Sequence, residues 1–319
     1  MEVMVEIEKT IGEFHLQTSF TAEAGAIFGL LGESGCGKSM TLKCIAGIET
    51  PDKGRILLNG RTLFDSERGI NLRPQKRKIG YLFQDYALFP NLTVWENIAI
   101  VLKDKKQTQQ YIEQFYMSGL EKHNPSMLSG GQKQRCALAR MMASKPELVL
   151  LDEPFSAVDR NLKWNLELQI MEILEEIKKP VIFVSHDRDE IYHFCHKIGI
   201  LEQGSMREVG EREEIFAHPK TVAAAKIMGC ENLFSIPGSR DSYVGIPSEA
   251  VRPALPGEEA QIRGWVEKIF CEKDEMIFVI MTEQGRFWYR TSREQKDVKR
   301  VGEEIGFWID RTKIWYLSM

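Results

Sequence analysis

The sequence predicts an α/β domain wound around a phosphate-binding loop, followed by a small all-β domain of OB-like barrel size. Three observations carry this prediction. Gly32-Glu33-Ser34-Gly35-Cys36-Gly37-Lys38-Ser39 stands between an apolar run at 26–30 and an amphipathic segment at 40–46, so strand, glycine turn and helix follow one another. Leu148-Val149-Leu150-Leu151 and Val181-Ile182-Phe183-Val184 are wholly apolar, as strands buried on both faces of a parallel sheet must be. Composition then changes near Gly229: Pro237, Gly238, Gly245, Pro247, Pro253 and Pro256 crowd 231–256, and four of the six tryptophans lie beyond Gly229. Domains of 1–229 and 230–319 follow.

In order along the chain, 3–8, 14–20 and 26–30 read as short strands. A helix after the glycine loop closes at Gly47, with Pro51 just beyond. The stretch 54–60 is a strand ending in an Asn59-Gly60 turn, and 78–83 is a strand that delivers Gln84. Residues 93–127 read as helices with Trp95, Ile98, Tyr111, Phe115 and Met117 on apolar faces, within a helical subdomain of about 88–145. Ser129 opens a glycine turn and a helix through Ala143. In the second domain Trp265, Trp288, Trp308 and Trp315, with Phe270, Phe278, Phe287, Phe307 and Tyr316, read as core aromatics, because no basic stripe accompanies them.

A net charge of −4 over 319 residues argues against nucleic acid as a partner, and the basic run 73–78 reads as a solvated face. Six cysteines without C-x-x-C spacing suit a reducing cytosol. The start at Met1 has neither a basic region nor an apolar signal core. No apolar run approaches the roughly 18 to 20 residues that span a bilayer, so any membrane association is expected to come through a partner.

The chemistry gathers at strand ends. Glycines 32, 35 and 37 let backbone N–H groups form an anion nest before a helix N-terminus. Lys38 adds a charge for the outer phosphates, and Ser39 offers Mg²⁺ a hard oxygen. Asp152, closing a buried strand, is expected to hold Mg²⁺, and Glu153 to orient and deprotonate a water. His186, after another buried strand, is suited to a γ-phosphate. Gln84 is a neutral group able to touch both metal and water. A second anion nest is expected at Ser129-Gly130-Gly131-Gln132. The pair His193 and His196 with Cys195 suggests a metal, but Cys195 falls off the histidine face and no further ligand is evident.

Together these residues resemble the ATP-binding cassette superfamily. Gly32 to Ser39 matches its Walker A, Gln84 its Q-loop, and Leu128 to Gln132 its signature. Leu148 to Glu153 matches its Walker B, Ser156-Ala157-Val158-Asp159 its D-loop and His186 its switch histidine. The resemblance runs in order over about 1–229. It implies ATP and Mg²⁺ as ligands. It also implies nucleotide contacts from the loop through Met40 and from Asp159. Two cassettes would pack head to tail as a homodimer, Ser129 and Gly131 of one closing on ATP held by Lys38 of the other. An early aromatic stacks on adenine in that family; here Phe14 is either that residue or a strand core residue.

Single cassettes without membrane spans resemble the ATPase subunits of importers, peripheral on the cytoplasmic face of a membrane. Their implied partners are a permease and, indirectly, a substrate-binding protein, with Tyr86, Leu88 and Phe89 as exposed contacts. Residues 63–80 look like molybdate, tungstate and sulfate importers, and Phe234-Ser235 with Gly238 resembles the entry to their accessory domains. Iron, polyamine and sugar importers stay open. A non-transport cassette ATPase is the other class, but the second cassette, zinc module or long coiled coil common there does not appear in this sequence.

Overall fold

The computed structural model describes residues 1–156, 160–175, 177–255, 257–293 and 299–319. Alternating apolar and polar residues at the start produce a long antiparallel hairpin, β1 (Glu2–Ile11) with β2 (Phe14–Glu23), which buries Val3, Val5 and Ile7 along one strand and Leu16 and Phe20 along the other. The continuous apolar run becomes β3 (Ile27–Leu31), buried at every residue. After the glycine loop comes α1 (Lys38–Ala46), ended by Gly47 at φ 80. β4 (Lys53–Leu58) and β5 (Arg61–Asp65) are joined by Asn59-Gly60 with φ 51 and 76, as a type I′ turn requires. β6 (Ile70–Asn71), α2 (Pro74–Arg77) and β7 (Ile79–Leu82) follow.

The helical part comprises α3 (Val94–Leu102), started by a Thr93/Glu96 capping box, α4 (Lys105–Gln114) and α5 (Gly130–Ala143). The chain then returns as β8 (Leu148–Asp152), α6 (Arg160–Glu175), β9 (Val181–Ser185), α7 (Arg188–Phe194), β10 (Lys197–Glu202) and β11 (Ser205–Glu211). Among the described residues these strands make one sheet in the order β6-β5-β4-β1-β2-β11-β10-β3-β9-β8-β7. Its β10-β3-β9-β8-β7 portion is parallel throughout. The carboxyl ends of β3, β7, β8 and β9 therefore lead into Gly32, Gln84, Glu153 and His186, which is where open α/β sheets bind ligands.

The basic run 73–78 is not wholly a solvated face. Arg77 is fully buried, donating from Nη1 to Cys44 O (2.9 Å) and Ile45 O (2.7 Å), from Nε to Leu72 O (2.8 Å) and from Nη2 to Asn71 Oδ1 (2.8 Å). It satisfies the last carbonyls of α1, and burial lowers its pKa to about 10.

The chain divides into compact units at Met1–Arg212 and Glu213–Met319, earlier than the composition change at Gly229 suggests. The reason lies in α8 (Arg212–Ala217) and α9 (Val222–Ile227): Val222 and Ala225 bury themselves with Cys230 and Leu317, so this helical stretch packs with the second unit. There β12 (Asn232–Ser235) and β13 (Ser242–Ile246) precede β14 (Val251–Pro253), β15 (Ile262–Cys271), β16 (Glu275–Thr282), β17 (Gly285–Ser292), β18 (Glu304–Ile309) and β19 (Trp315–Ser318). Among the described residues the strands form two sheets, β12-β13-β19 and β14-β18-β15-β16-β17. Asn232, 2% exposed, clasps them: its Oδ1 accepts from Trp288 N–H (2.6 Å) and its Nδ2 donates to Trp288 O (2.8 Å). Phe278, Phe287, Tyr289 and Phe307 fill the core, whereas Trp265, Phe270 and Tyr316 point to solvent, contrary to a uniform core reading.

Candidate nucleotide site

The glycine loop folds around its own lysine. Lys38 is 4% exposed, and its ammonium donates to Gly32 O (2.6 Å) and Glu33 O (2.9 Å), with Cys36 Sγ at 3.9 Å. Gly37 sits at φ 112, and a side chain there would strike Leu16 (2.8 Å) and Phe14 (3.1 Å). At Gly32 a Cβ would lie 2.2 Å from Leu201 O. At Gly32 and Gly37 the loop thus fits only as backbone, which lets it close as an anion-binding turn. Ser34, Gly35 and Met40 lie on this same loop-to-α1 turn.

Beside it, Ser39 Oγ donates to Asp152 Oδ1 (2.8 Å) and Tyr81 Oη to Asp152 Oδ2 (2.8 Å). Asp152 is buried. Burial, then the Asp152 carboxylate, keeps the Tyr81 phenol protonated well above its ordinary range. A buried carboxylate beside a hydroxyl is a hard-oxygen set that fits Mg²⁺. Tyr81 escaped the sequence reading, since its partner lies 71 residues away.

Glu153 and His186 form a second group, with Glu153 Oε2 3.2 Å from His186 Nδ1. Glu153 adopts φ 45, left-handed backbone that costs energy outside glycine. It is held there because its N–H donates to Val184 O (3.0 Å) and its carbonyl accepts from Ser156 N–H (3.2 Å) and Oγ (2.9 Å). His186 is half-exposed at the mouth of this pair.

Ser129 caps α5. Its Oγ accepts from Gln132 N–H (3.4 Å), and Gln132 Oε1 accepts from Ser129 N–H (2.9 Å), so Gly130 and Gly131 lie in a self-capped first turn. Packing behind Gly131 leaves an added Cβ only 3.3 Å from Leu166. Among the described residues no hydrogen bond joins this turn, or Gln84, to the loop or to the Glu153–His186 pair. Asp159 lies outside the described residues. Phe14 is partly buried with Leu16, Cys36, Leu201, Met40 and Met206, under the loop.

Gln84 is exposed in the turn after β7. Tyr86 and Ala87 next to it have φ 62 and 44, and Tyr86 is buried, so its reading as an exposed contact is corrected: the left-handed turn swings its ring inward. Arg140 of α5 holds this turn by donating to Tyr86 O (3.3 Å) and Ala87 O (2.7 Å) while lying over the exposed Phe89 ring. The 193–196 histidines have other engagements. His196 Nδ1 accepts from Ile27 N–H (3.1 Å), and Cys195 is buried against Gly29, its thiol pushed up by burial. Among the described residues no group of three metal-ligating side chains occurs, and no helix is long and apolar enough to cross a membrane.

Parallel strands ending in a glycine loop, a Ser–Asp pair and a Glu–His pair define a P-loop NTPase fold. A family model described as ABC transporter matches residues 16–156. A sulfate/thiosulfate import ATP-binding protein of Gloeobacter violaceus is 36% identical over 266 residues, covering 80% of this chain and 75% of that protein. The chain belongs to the ABC transporter family. A putrescine transport ATP-binding protein of Escherichia coli (strain K12) is 40% identical over 224 residues, 68% of this chain. This chain spans only 58% of that relative's length. Among solved structures, a dimeric ATP-binding cassette described as a post-hydrolysis state with ADP and Pi aligns with TM-score 0.56 and 26% identity, over 66% of this chain and 99% of its own.

Proposed function

We propose that this chain is the ATP-hydrolysing subunit of an importer, working as a head-to-tail dimer on the cytoplasmic face of a membrane permease that a substrate-binding protein supplies. The observation that carries this reading is the clustering of Ser39–Asp152 and Glu153–His186 at neighbouring strand ends beside Lys38. Lys38 leaves the Gly32 and Glu33 carbonyls for the outer phosphates, and the backbone N–H groups of the 32–37 loop bind the rest. Ser39, Asp152 and Gln84 would hold Mg²⁺, which when bound would neutralise phosphate charge. Glu153 takes the proton from the attacking water, and His186 meets the γ-phosphate and is held by Glu153. Phe14, packed under the loop with Leu16, Cys36 and Leu201, is the candidate to stack on adenine. Ser129, Gly130, Gly131 and Gln132 of the second copy, with Asp159, complete the site across the dimer.

The transported cargo we read as an oxyanion such as molybdate or sulfate, from the 63–80 stretch and the sulfate/thiosulfate relative. A polyamine is the second reading, favoured by the putrescine relative. The test is Glu153→Gln: turnover falls by about a thousandfold while ATP binding persists and a dimer accumulates on a sizing column. A monomer with ATP bound overturns the composite site. Uptake by the co-purified permease of molybdate, sulfate or putrescine decides the cargo.

A further inference from the structure

Behind His186 lies a side-chain network that no motif contains. Lys163, in the first turn of α6, has its ammonium 2.6 Å from Glu190 Oε1, 2.7 Å from Asp187 Oδ2 and 3.8 Å from Glu167 Oε1. The other oxygen of Glu190 accepts from Ser185 Oγ (2.6 Å), and that hydroxyl accepts from Asp187 N–H (2.9 Å). Asp187 Oδ1 in turn accepts from Asp189 N–H (2.9 Å), fixing the start of α7. Both neighbours of His186 are thereby tied, directly or through Glu190, to one cation. Glu190 and Glu167 are 5% and 7% exposed, whereas Asp187 and Lys163 are partly open to solvent, so three carboxylates crowd a single ammonium at the edge of the core. Burial raises the Glu167 pKa, as expected where one cation serves several acids.

An ordinary ion cluster stiffening two helices would need neither Ser185 nor the Asp187 backbone. Here the bonds converge on the two residues that set where the imidazole points. A reacting group must be held to within about half an ångström to act, and the His186 ring itself is half-exposed, with little packing of its own. α6 also begins directly after Asp159 in sequence, so the cation that fixes the histidine turn is borne by the element that follows the D-loop stretch.

We propose that Lys163 is a positioning residue for His186, holding its turn through Ser185, Asp187 and Glu190 in the geometry that hydrolysis needs. This rests on the reading of His186 as the γ-phosphate contact. Steady-state ATP hydrolysis by the full chain tests it, with Lys163→Met, Lys163→Arg and His186→Ala side by side. Lys163→Met is expected to lower kcat by about tenfold or more while KM for ATP stays within about twofold. Lys163→Arg, which keeps the charge, is expected to recover most of the rate. ATP-driven dimerisation in a Glu153→Gln background should survive Lys163→Met.

Full turnover by His186→Ala sinks the reading of His186 and this proposal with it. An inactive His186→Ala beside a Lys163→Met with unchanged kcat sinks the proposal alone. So does a loss in both kcat and ATP binding that arginine fails to rescue, since that marks general loosening of the fold. Should Lys163→Met not fold, Ser185→Ala cuts the network from its other end, and an unchanged kcat there overturns the proposal.

Discussion

Two helix N-termini in the first unit have glycines at their start, and they are built in opposite ways. α1 starts at Gly37 with no side-chain cap, its loop wrapped around a lysine that is almost wholly buried. α5 starts at Ser129, exposed, with a reciprocal cap from Gln132 that already satisfies donors of its first turn. An uncapped, enclosed turn keeps its N–H groups for a ligand of the same chain. A self-capped turn on the surface is content without one, its Ser129 hydroxyl already turned onto the Gln132 N–H of its own helix. The difference in build accords with the expected division of labour, in which Lys38 holds the phosphates of its own chain and the Ser129 turn is offered to those of a second copy.

Disabling the two turns in separate chains tests this difference most severely. Lys38→Ala and Ser129→Arg should each lose about a hundredfold or more in turnover, with Ser129→Arg still binding ATP. Mixing them should restore hydrolysis, because one site of the mixed dimer then pairs an intact Lys38 with an intact Ser129. A mixture as inactive as its parts refutes the assignment of the two turns to different chains.

A smaller effect belongs to the α1 side alone. Tyr81→Phe frees Asp152 Oδ2 and should raise the Mg²⁺ concentration that half-saturates nucleotide binding by about tenfold, read by titrating metal against a fluorescent ATP analogue. The smallest belongs to α5. Gln132→Ala removes half of the cap and should cost about 1 kcal/mol in urea unfolding. A neutral result would mean that water replaces the cap, and that the turn is less self-sufficient than its geometry suggests.

What could be read from the residues was what is local. The strand–loop–helix around Lys38, the buried strand before Asp152 and the Ser129 turn each declare themselves within a dozen residues, and the fold has them as expected. What escaped were partnerships made by folding: Tyr81 with Asp152, Arg77 under α1, Arg140 against the Tyr86 turn. Each is a polar side chain whose partner lies 30 or more residues away, beyond any periodicity. Tyr86 was misread because an aromatic next to a glutamine turn looks exposed until two left-handed residues rotate it inward. The unit boundary moved because α9 is short and its small apolar face, Val222 and Ala225, gives no compositional sign of the sheet it packs on.

The grip of the Gly32 and Glu33 carbonyls on Lys38 has a consequence for what the site will accept. A bare ammonium would collect any phosphate dissolved nearby. One already solvated by its own loop presents an entry toll, because each guest must replace two short hydrogen bonds before it gains anything. A lone inorganic anion brings too few contacts to win that exchange, whereas a triphosphate chain running along the whole nest brings enough. Discrimination between the two would therefore reside in the loop's own carbonyls as much as in its N–H groups.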